Sequence, residues 1–315
     1  MAYRDLETLL RAVRCGQPRA VGRLISLVEN DSPSLREVMR ALAADTGRAH
    51  VVGITGPPGV GKSTTTTALV AALRAAGQRV GVLAVDPSSP FSGGALLGDR
   101  VRMQEHALDA EVFIRSMATR GHLGGLAVAA PQALRVFDAA GCDTVIVETV
   151  GVGQSEIEVA AAADTVLVLL APGMGDGIQA AKAGILEIGD IYVVNKSDRD
   201  GAQALVRDLR SMIALDARAD GDWKPPIVRT VASSGEGIEE LLAAVDAARS
   251  HAQDSGRWQD RRLGRARAEV EALALAKVRA ELPVVGRSGL LELAAAVRDG
   301  TLDPYAAADQ VVASR

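Results

Sequence analysis

Residues 54–64 read ITGPPGVGKST, and this stretch decides the fold. It fits the pattern G-x-x-x-x-G-K-[ST], in which glycines let successive backbone N–H groups point at one anion. An apolar run, HVVGIT, leads into the loop, and a helical pattern, TTTTALVAALRAAG, follows it. This context adds the positive N-terminal end of a helix to the loop. The sequence therefore predicts a site for the phosphates of a nucleoside triphosphate, rather than a glycine turn before an Ala-rich helix.

Each residue type in this loop has a defined task. Lys62 is expected to reach the outer phosphates, and the Ser63 hydroxyl is expected to ligate Mg²⁺. The other nucleotide-binding residues of the loop are predicted to be Gly56, Pro57, Pro58, Gly59, Val60, Gly61 and Thr64.

Composition limits the classes of protein to which this chain can belong. Its 315 residues are enough for a core domain with extensions. A formal net charge of −4 argues against a general nucleic-acid binder. No apolar run reaches the roughly 18 residues that a membrane span needs. The two cysteines, Cys15 and Cys142, form no motif, and the N-terminus has no secretory apolar core, so a cytoplasmic location is expected.

From His50 onwards, apolar strand-like runs alternate with helical patterns. This alternation is typical of an α/β fold in which a mostly parallel sheet carries helices on both faces. Strands are predicted at residues 50–55, 79–85, 112–116, 143–148, 164–170, 191–195 and 226–231. Helices between them are predicted at residues 62–76, 125–140, 176–188 and 202–215. Ligands of such sheets bind at the carboxyl ends of the strands, so polar residues that follow strands are candidate site residues.

The chain is predicted to have three segments. Residues 1–47 form a helical N-terminal extension, residues 48–250 the nucleotide-binding domain, and residues 251–315 a helical C-terminal arm. The extension is expected to pack on the domain that follows it. The arm begins with a polar, linker-like stretch at 251–262 and is a candidate for dimerisation. Its arginines are interpreted as a solvated helix face, with an acidic partner as the alternative; they are Arg257, Arg261, Arg262, Arg265 and Arg267.

Two acids bracket a loop rich in proline, serine and glycine, in the stretch VLAVDPSSPFSGGALLGDRVRM. Asp86 ends a predicted strand, and Asp99 closes the loop. An acid at such a strand end can hold Mg²⁺ directly, hold its water shell or orient the attacking water. The alternative for Asp99 is the N-cap of a helix after a surface turn. The composition of the loop indicates a segment that is ordered only by nucleotide.

Glu148 ends the apolar strand in DTVIVETVGVGQSE, and Gly151 follows three residues later. This pair resembles the D-x-x-G that senses a γ-phosphate, with Glu in place of Asp. A carboxylate here would bind Mg²⁺ or its water, and the Gly151 N–H would bond the γ-phosphate. Gln154 has the chemistry to orient the attacking water, and a polar role at the start of a helix is the alternative.

The stretch APGMGDGIQAAKAG, after the strand at 164–170, contains a candidate mobile loop. Asp176, Gln179 and Lys182 share one helical face because of their spacing. Asp176 or Lys182 could report on the state of the nucleotide. In the alternative interpretation, Asp176 only caps the helix.

The stretch IYVVNKSD predicts which base is bound. Asn195, Lys196 and Asp198 follow an apolar strand as N-K-x-D. The Asp198 carboxylate can accept hydrogen bonds from guanine N1–H and the 2-amino group together, whereas adenine offers neither donor. The aliphatic part of the Lys196 side chain can pack along the base. The loop TVASSGEG can close against the base edge, with Ser233 as its contact. The sequence therefore predicts a site for GTP and GDP.

Four stretches, GPPGVGKST, DPSSPFSGGALLGDRVRM, ETVGVGQSE and NKSD, together resemble the MeaB/MMAA (formerly ArgK) family of GTPases over nearly the whole chain. The resemblance implies a P-loop NTPase sheet of the SIMIBI type, similar to the sheets of signal-recognition-particle and nickel-chaperone GTPases. It implies that the Mg²⁺ and phosphate ligands are Lys62, Ser63, Asp86, Asp99 and Glu148. It also implies that Asn195, Lys196 and Asp198 bind the base, and that the loop with Asp176 and Lys182 is a partner-responsive switch.

The resemblance further implies an activity and partners. The expected reaction is hydrolysis of GTP to GDP and phosphate. The expected role is a chaperone that gates delivery of adenosylcobalamin from an adenosyltransferase to methylmalonyl-CoA mutase, or a related acyl-CoA mutase, and protects or reactivates that enzyme. A homodimer through the C-terminal arm is implied, and no cobalamin site of the chain itself is evident. The residues predicted to act in catalysis are Lys62, Asp86, Asp99, Gln154 and Lys182.

Three alternatives stay open at the level of sequence. A nickel-insertion GTPase of the same sheet is opposed by the lack of a cysteine pair and by histidines scattered at His50, His106, His122 and His251. A small-molecule kinase would transfer the γ-phosphate to an acceptor other than water. A non-catalytic, nucleotide-gated scaffold would keep its partner function after Lys62→Ala had abolished GTP binding.

Overall fold

The computed structural model of the chain describes residues 3–30, 32–87, 104–106, 108–119, 125–149, 161–173, 188–215, 221–281 and 287–313. The chain forms two compact units, residues 1–265 and residues 266–315. Within the described ranges, no helix is both long enough and apolar enough to cross a membrane.

A sheet of seven strands forms the centre of the first unit. The strands are β1 (His50–Thr55), β2 (Val80–Pro87), β3 (Val112–Thr119), β4 (Thr144–Thr149), β5 (Thr165–Leu170), β6 (Ile191–Asn195) and β7 (Ile227–Thr230). Their order across the sheet is β3-β2-β4-β1-β5-β6-β7, and every neighbouring pair runs parallel. The predicted α/β fold with a mostly parallel sheet is confirmed.

Helices cover both faces of this sheet. Those of the first unit are α1 (Tyr3–Arg14), α2 (Pro18–Glu29), α3 (Leu35–Leu42), α4 (Lys62–Ala75), α5 (Gly125–Ala139), α6 (Ala202–Leu215), α7 (Ile238–Asp254) and the start of α8 (Arg257–Glu281). One apolar cluster joins α1–α3, α5 and α6 to the sheet, and a second joins α4 and α7 to it. Because both faces are covered, β1, β4 and β5 are buried along their whole length and are mostly apolar in sequence.

The N-terminal helices pack on the sheet domain, as the sequence indicates. Leu6, Leu10 and Val13 of α1 are buried in the same cluster as Phe137 of α5. On the edge strand β3, Arg115 donates hydrogen bonds to Ser26 Oγ at 2.6 Å and to Glu29 Oε2 at 2.8 Å, both on α2. Apolar burial and this ion pair therefore attach the extension to the sheet.

The stretch at 251–262 is helical except at Ser255 and Gly256, so its interpretation as a linker is wrong. Helix α7 continues to Asp254, and α8 begins at Arg257. Three of the five arginines do not form a solvated face. Arg261 is bound to Asp190 through contacts of 2.7 and 2.8 Å, and Arg262 and Arg265 both bind Asp164. Only Arg257 and Arg267 are exposed as expected.

The partners of these arginines are two acids that lie far away in sequence. Asp164 and Asp190 stand immediately before β5 and β6, at the amino edge of the sheet. Their charges attract the arginines of α8 and hold its first turns against the sheet, where Trp258 is buried. Two arginines of a polar stretch that resembles a linker are thus paired with acids of the sheet.

The second unit contains the end of α8 and the helices α9 (Arg287–Arg298) and α10 (Pro304–Ala313). Asp303 caps α10, because its Oδ1 accepts hydrogen bonds from the backbone N–H groups of Tyr305 and Ala306 at 2.9 and 3.0 Å. Large apolar side chains of this unit are exposed at Val270, Leu273, Leu275, Val278, Leu290, Leu291, Tyr305 and Val312.

Candidate functional site

The candidate site lies at the carboxyl edge of the sheet, where the loop 56–61 joins β1 to α4. Strand β1 runs between β4 and β5, so the loop emerges near the middle of the sheet. Ligands of parallel sheets bind outside the carboxyl ends of the strands. The N-terminus of α4 follows directly at Lys62 and points its free N–H groups at the same place.

Two glycines of the loop have no room for a side chain. Gly56 has φ 141° and Gly61 has φ 97°, values that side chains of L-residues rarely allow. A Cβ atom at Gly56 would overlap Leu169 O, and one at Gly61 would overlap Asn195 Nδ2. The loop therefore lies directly against β5 and against the residue that ends β6.

Lys62 lies over the loop with its charged end among loop carbonyls. Its Nζ donates hydrogen bonds to Gly56 O at 2.6 Å and to Pro57 O at 3.1 Å. The residue is 7% exposed, so the positive charge is held at the loop. An ammonium group here adds to the field of the backbone N–H groups and of the helix N-terminus.

Ser63 is hydrogen-bonded to Glu148. The Ser63 hydroxyl, in the first turn of α4, donates to Glu148 Oε1 at 2.6 Å across 85 positions of sequence. The pairing of β1 with β4 sets Glu148 beside Ile54, one residue before β1 ends. Glu148 is 2% exposed, so its carboxylate is desolvated and depends on such hydrogen bonds.

A third side chain at this place, Thr66, was not singled out from the sequence. Its Oγ1 lies 2.8 Å from Glu148 Oε2, and it is fully buried. The sequence does indicate that Thr66 lies near Ser63, because it follows Ser63 by three positions and so shares its face of α4. Helical spacing does not, however, predict that its partner is Glu148 on β4.

The residues fit a Mg²⁺ ion that also binds the nucleotide. Mg²⁺ prefers oxygen ligands and is commonly held by one or two protein groups together with phosphates and waters. Ser63 Oγ and Glu148 Oε1 supply such oxygens at the carboxyl edge. Strand pairing sets Ala84 of β2 opposite Glu148, so the backbone of Asp86 lies two residues beyond it on the neighbouring strand. In the described part of the chain, no three His, Cys, Asp or Glu side chains cluster as a metal-only site.

The predicted base motif is connected to the phosphate loop by Asn195. Its Nδ2 donates to Val60 O at 2.8 Å. Its Oδ1 accepts hydrogen bonds from Thr230 Oγ1 and from Ala232 N, each at 3.1 Å. One buried side chain thus joins the ends of β6 and β7 to the loop, and the contributions of Thr230 and Ala232 are not apparent in the sequence.

Lys196 makes a second connection to the loop. It has φ 55°, the left-handed region, and its Nζ donates to Gly59 O at 2.6 Å. Asp198 is exposed two residues later, and no described residue shares a hydrogen bond with its carboxylate. Ser233 is also exposed, in the turn that follows β7. The structure therefore brings the phosphate loop, Asn195 and Lys196 into contact and leaves the Asp198 carboxylate open to solvent.

Several predicted site residues lie outside the described residues. They are Asp99, Gly151, Gln154, Asp176 and Lys182. Asp86 is described only as part of the β2 backbone. Their predicted roles stay predictions.

The opposite edge of the sheet has different electrostatics. His50, the first residue of β1, is buried, and its burial lowers its pKa to about 4. Its Nε2 lies 2.9 Å from Thr165 Oγ1, and its ring contacts Trp258 at a centroid distance of 5.5 Å. A neutral imidazole in this packing is a core residue and not part of the phosphate site.

Comparison with known proteins agrees with this geometry. A family model described as "Methylmalonyl Co-A mutase-associated GTPase MeaB" matches residues 21–284. A protein from Pyrococcus abyssi that is named as a GTPase is 46% identical over 312 residues, which cover 98% of this chain and 96% of that protein. The mouse protein "Methylmalonic aciduria type A homolog, mitochondrial" is 38% identical over 255 residues, covering 76% of this chain and 61% of that protein.

A solved structure has the same fold over almost the whole length. It is described as "LAO/AO transport system kinase" and is 28% identical to this chain, with a TM-score of 0.73. The alignment covers 99% of this chain and 98% of that chain. Because the family model spans most of the sequence and the Pyrococcus protein aligns nearly end to end, the chain is a GTP hydrolase of the P-loop fold and belongs to the MeaB family of methylmalonyl-CoA mutase-associated GTPases.

Proposed function

We propose that this GTPase is a nucleotide-driven chaperone of adenosylcobalamin-dependent methylmalonyl-CoA mutase or a related acyl-CoA mutase. It gates delivery of the cobalamin, which an adenosyltransferase hands over, and it protects or reactivates the mutase. Support comes from the family, which is described by its association with that mutase, and from the mouse relative, whose name refers to methylmalonic aciduria. A cytoplasmic location agrees with two cysteines that are free thiols.

The observation that carries this proposal is the direct contact between the phosphate loop and the base motif. Asn195 bonds Val60 O at 2.8 Å, and Lys196 bonds Gly59 O at 2.6 Å. The two ends of one GTP molecule would therefore bind segments that already hydrogen-bond each other. Binding of the correct base then stabilises the loop that holds the phosphates, and the γ-phosphate at that loop is the group that distinguishes GTP from GDP.

The catalytic contribution of the chain is positioning and charge stabilisation. Phosphoryl transfer leaves little covalent chemistry to the protein. Lys62, the loop N–H groups and the N-terminus of α4 stabilise negative charge on the outer phosphates. When Mg²⁺ is bound, it neutralises phosphate charge, and Ser63 and Glu148 would hold it. Asp86, Asp99, Gln154 and Lys182 are proposed to complete the metal and water contacts.

Intrinsic turnover is proposed to be slow. The sequence contains no unambiguous arginine finger, and in GTPases such a residue, when supplied in trans, raises the rate by about 10³–10⁵. The mutase is proposed to raise the rate by acting on the segments that carry Gln154 and Lys182.

The chain is also proposed to be a homodimer through its C-terminal arm. Support comes from the exposed apolar side chains of the second unit, since such side chains in an isolated chain indicate an interaction surface. The variant Val270→Glu, at a position that is 67% exposed, is expected to convert a dimer into a 32.7 kDa monomer in light scattering. Leu108→Glu changes a residue that is 97% exposed in the first unit and should leave the mass of the dimer unchanged. A wild-type protein that is already monomeric contradicts the dimer.

Nucleotide-dependent binding of the mutase tests the chaperone role. Tagged protein is loaded with GDP or with a non-hydrolysable GTP analogue and mixed with purified methylmalonyl-CoA mutase. We expect the retained mutase to differ between the two nucleotides, because only the GTP analogue carries a γ-phosphate to contact Lys62 and the Mg²⁺ ligands. Lys62→Ala removes the ammonium at the phosphates and should abolish this difference. Hydrolysis should release the γ-phosphate as inorganic phosphate and should accelerate when mutase is added.

Other outcomes would contradict the chaperone role or favour a different function. Equal retention with both nucleotides, or a rate already at tens per second and insensitive to mutase, contradicts the proposal. Transfer of labelled γ-phosphate to a small molecule would support the kinase alternative instead. Retention of a related acyl-CoA mutase in preference to methylmalonyl-CoA mutase would redefine the client.

A further inference from the structure

The Glu148 carboxylate is held at both of its oxygens by hydroxyl groups of α4. Ser63 Oγ donates to Oε1 at 2.6 Å, and Thr66 Oγ1 donates to Oε2 at 2.8 Å. Glu148 is 2% exposed and Thr66 is fully buried, so both contacts are shielded from water. Charge-assisted hydrogen bonds in such an environment are roughly twice as strong as neutral ones.

A glutamate at this position needs such an anchor. Its side chain has one more rotatable bond than that of an aspartate, and the terminal torsion of the carboxylate has only a broad preference. Without a fixed partner for Oε2, rotation of the carboxylate would move Oε1 away from Ser63. Thr66 lies one helical turn beyond Ser63, on the same face of α4, so a single rigid helix sets both contacts.

Thr66 also has a competing acceptor. Its Oγ1 lies 3.0 Å from Lys62 O, the usual intrahelical acceptor for a threonine hydroxyl. A hydroxyl carries one proton, and the charged carboxylate at 2.8 Å is the stronger acceptor. The hydroxyl is therefore committed to Glu148 in this arrangement, although a helix alone would satisfy it.

We infer that Thr66 is a positioning residue for Glu148, which fixes the carboxylate in the orientation that supports Mg²⁺ beside Ser63. Its hydroxyl contacts Glu148 and the carbonyl of Lys62, so it acts through the carboxylate. The inference rests on the proposed Mg²⁺ and nucleotide site and names a residue on which the metal affinity of that site depends. Loss of a side chain that orients a metal ligand commonly weakens metal binding by about 10- to 100-fold.

The test compares variants that lack only the hydroxyl. Thr66→Val keeps the shape of the side chain, and Thr66→Ser keeps the hydroxyl. GTP hydrolysis is measured against Mg²⁺ concentration, and binding of fluorescent GDP is measured in EDTA. We expect Thr66→Val to raise the half-saturating Mg²⁺ concentration by about ten-fold or more. GDP affinity in EDTA should be unchanged, and Thr66→Ser should restore the wild-type Mg²⁺ dependence.

The neighbouring residue offers a matched control. Thr65 is also fully buried in α4, and within the described residues its Oγ1 has no hydrogen-bond partner. Thr65→Val should therefore leave the Mg²⁺ dependence at the wild-type value. If Thr66→Val does not fold, as judged by its far-ultraviolet spectrum and thermal midpoint, Thr66→Ala gives the same comparison with a smaller, helix-favouring side chain.

The outcomes separate this inference from the proposed site itself. A folded Thr66→Val or Thr66→Ala with wild-type Mg²⁺ dependence overturns the positioning role while leaving the GTP site intact. Loss of GDP binding in EDTA, or no rescue by Thr66→Ser, also overturns it, because both results indicate a packing role. If hydrolysis by the wild-type protein does not depend on Mg²⁺, the proposed metal site is wrong and the role of Thr66 falls with it.

Discussion

Changing Asp198 to Asn is expected to weaken GTP binding by about 10²–10⁴-fold and to create binding of xanthosine triphosphate. The wild-type carboxylate can accept two hydrogen bonds from guanine, one from N1–H and one from the 2-amino group, each worth about 1.5–3 kcal/mol. An asparagine offers one acceptor and one donor. Its amino group would face the 2-amino group of guanine, so two donors would oppose each other.

Xanthine reverses this loss, because it carries an oxygen where guanine carries the 2-amino group. The asparagine oxygen can accept from N1–H while its amino group donates to the oxygen at position 2. A gain of xanthosine triphosphate binding therefore separates loss of base recognition from loss of folding. Titration calorimetry with GTP, ATP and xanthosine triphosphate measures all three affinities on the same protein.

The matched control is Asp200→Asn. Asp200 is an exposed acid two residues beyond Asp198, and the same change of charge there should leave all three affinities unaltered. Undiminished GTP binding by Asp198→Asn would mean that another group reads the guanine edge. Binding of ATP by the wild-type protein as tightly as GTP would remove the guanine site altogether.

The sheet could be predicted because its signals are local. Strands that are covered on both faces carry apolar side chains at most positions, and β1 and β6 have the bounds that their largely apolar runs predict. Strands β2 and β3 are longer than predicted. Their pairing continues from Val85 opposite Met117 to Pro87 opposite Thr119, past the apolar runs. Hydrogen bonding between neighbouring strands, and not composition, sets those ends.

The contacts within the candidate site could not be predicted in the same way. A motif indicates what chemistry a short stretch can perform, and Lys62, Ser63 and Asn195 were identified on that basis. The partners lie far away in sequence: Thr66 and Glu148 are separated by 82 positions, and Asn195 and Val60 by 135. Such pairs follow from strand order, which one sequence does not show. The same limit applies to the arginines of α8, because Arg261 and Asp190 are 71 positions apart and Arg262 and Asp164 are 98 positions apart.

Those arginines make Asp164 the most consequential buried charge that the structure describes at the amino edge of the sheet. Its side chain is 0% exposed, and its Oδ2 accepts hydrogen bonds from Val51 N at 3.0 Å and from Arg262 Nη2 at 2.9 Å. Arg265 also binds it. Burial alone would raise the pKa of Asp164, but the hydrogen bonds from Arg262 and the charge of Arg265 outweigh burial and lower it.

Replacing Asp164 by Asn is therefore expected to lower the free energy of unfolding by about 3 kcal/mol. The change removes the negative charge and leaves Arg262 and Arg265 close together without it. We expect the lower end of the range for broken buried pairs, because these arginines keep 22% and 21% of their side chains exposed. Urea unfolding at neutral pH measures the difference. Asp299→Asn breaks an exposed pair with Arg298 and should leave the unfolding midpoint unchanged.

The stability that Asp164 contributes depends on pH. A carboxyl whose folded pKa is depressed contributes stability that is fully present above its unfolded pKa of about 3.9 and is lost as pH falls through the lower folded value. The charge of Asp164 also raises the pKa of His50, which burial lowers to about 4, so the two proteins are compared above about pH 5, where folded His50 is neutral in both. Over that range Asp164 is ionised in the folded and the unfolded state, and the difference in unfolding free energy should be constant. Equal unfolding free energies at neutral pH would show that the arginines stabilise the amino edge without Asp164.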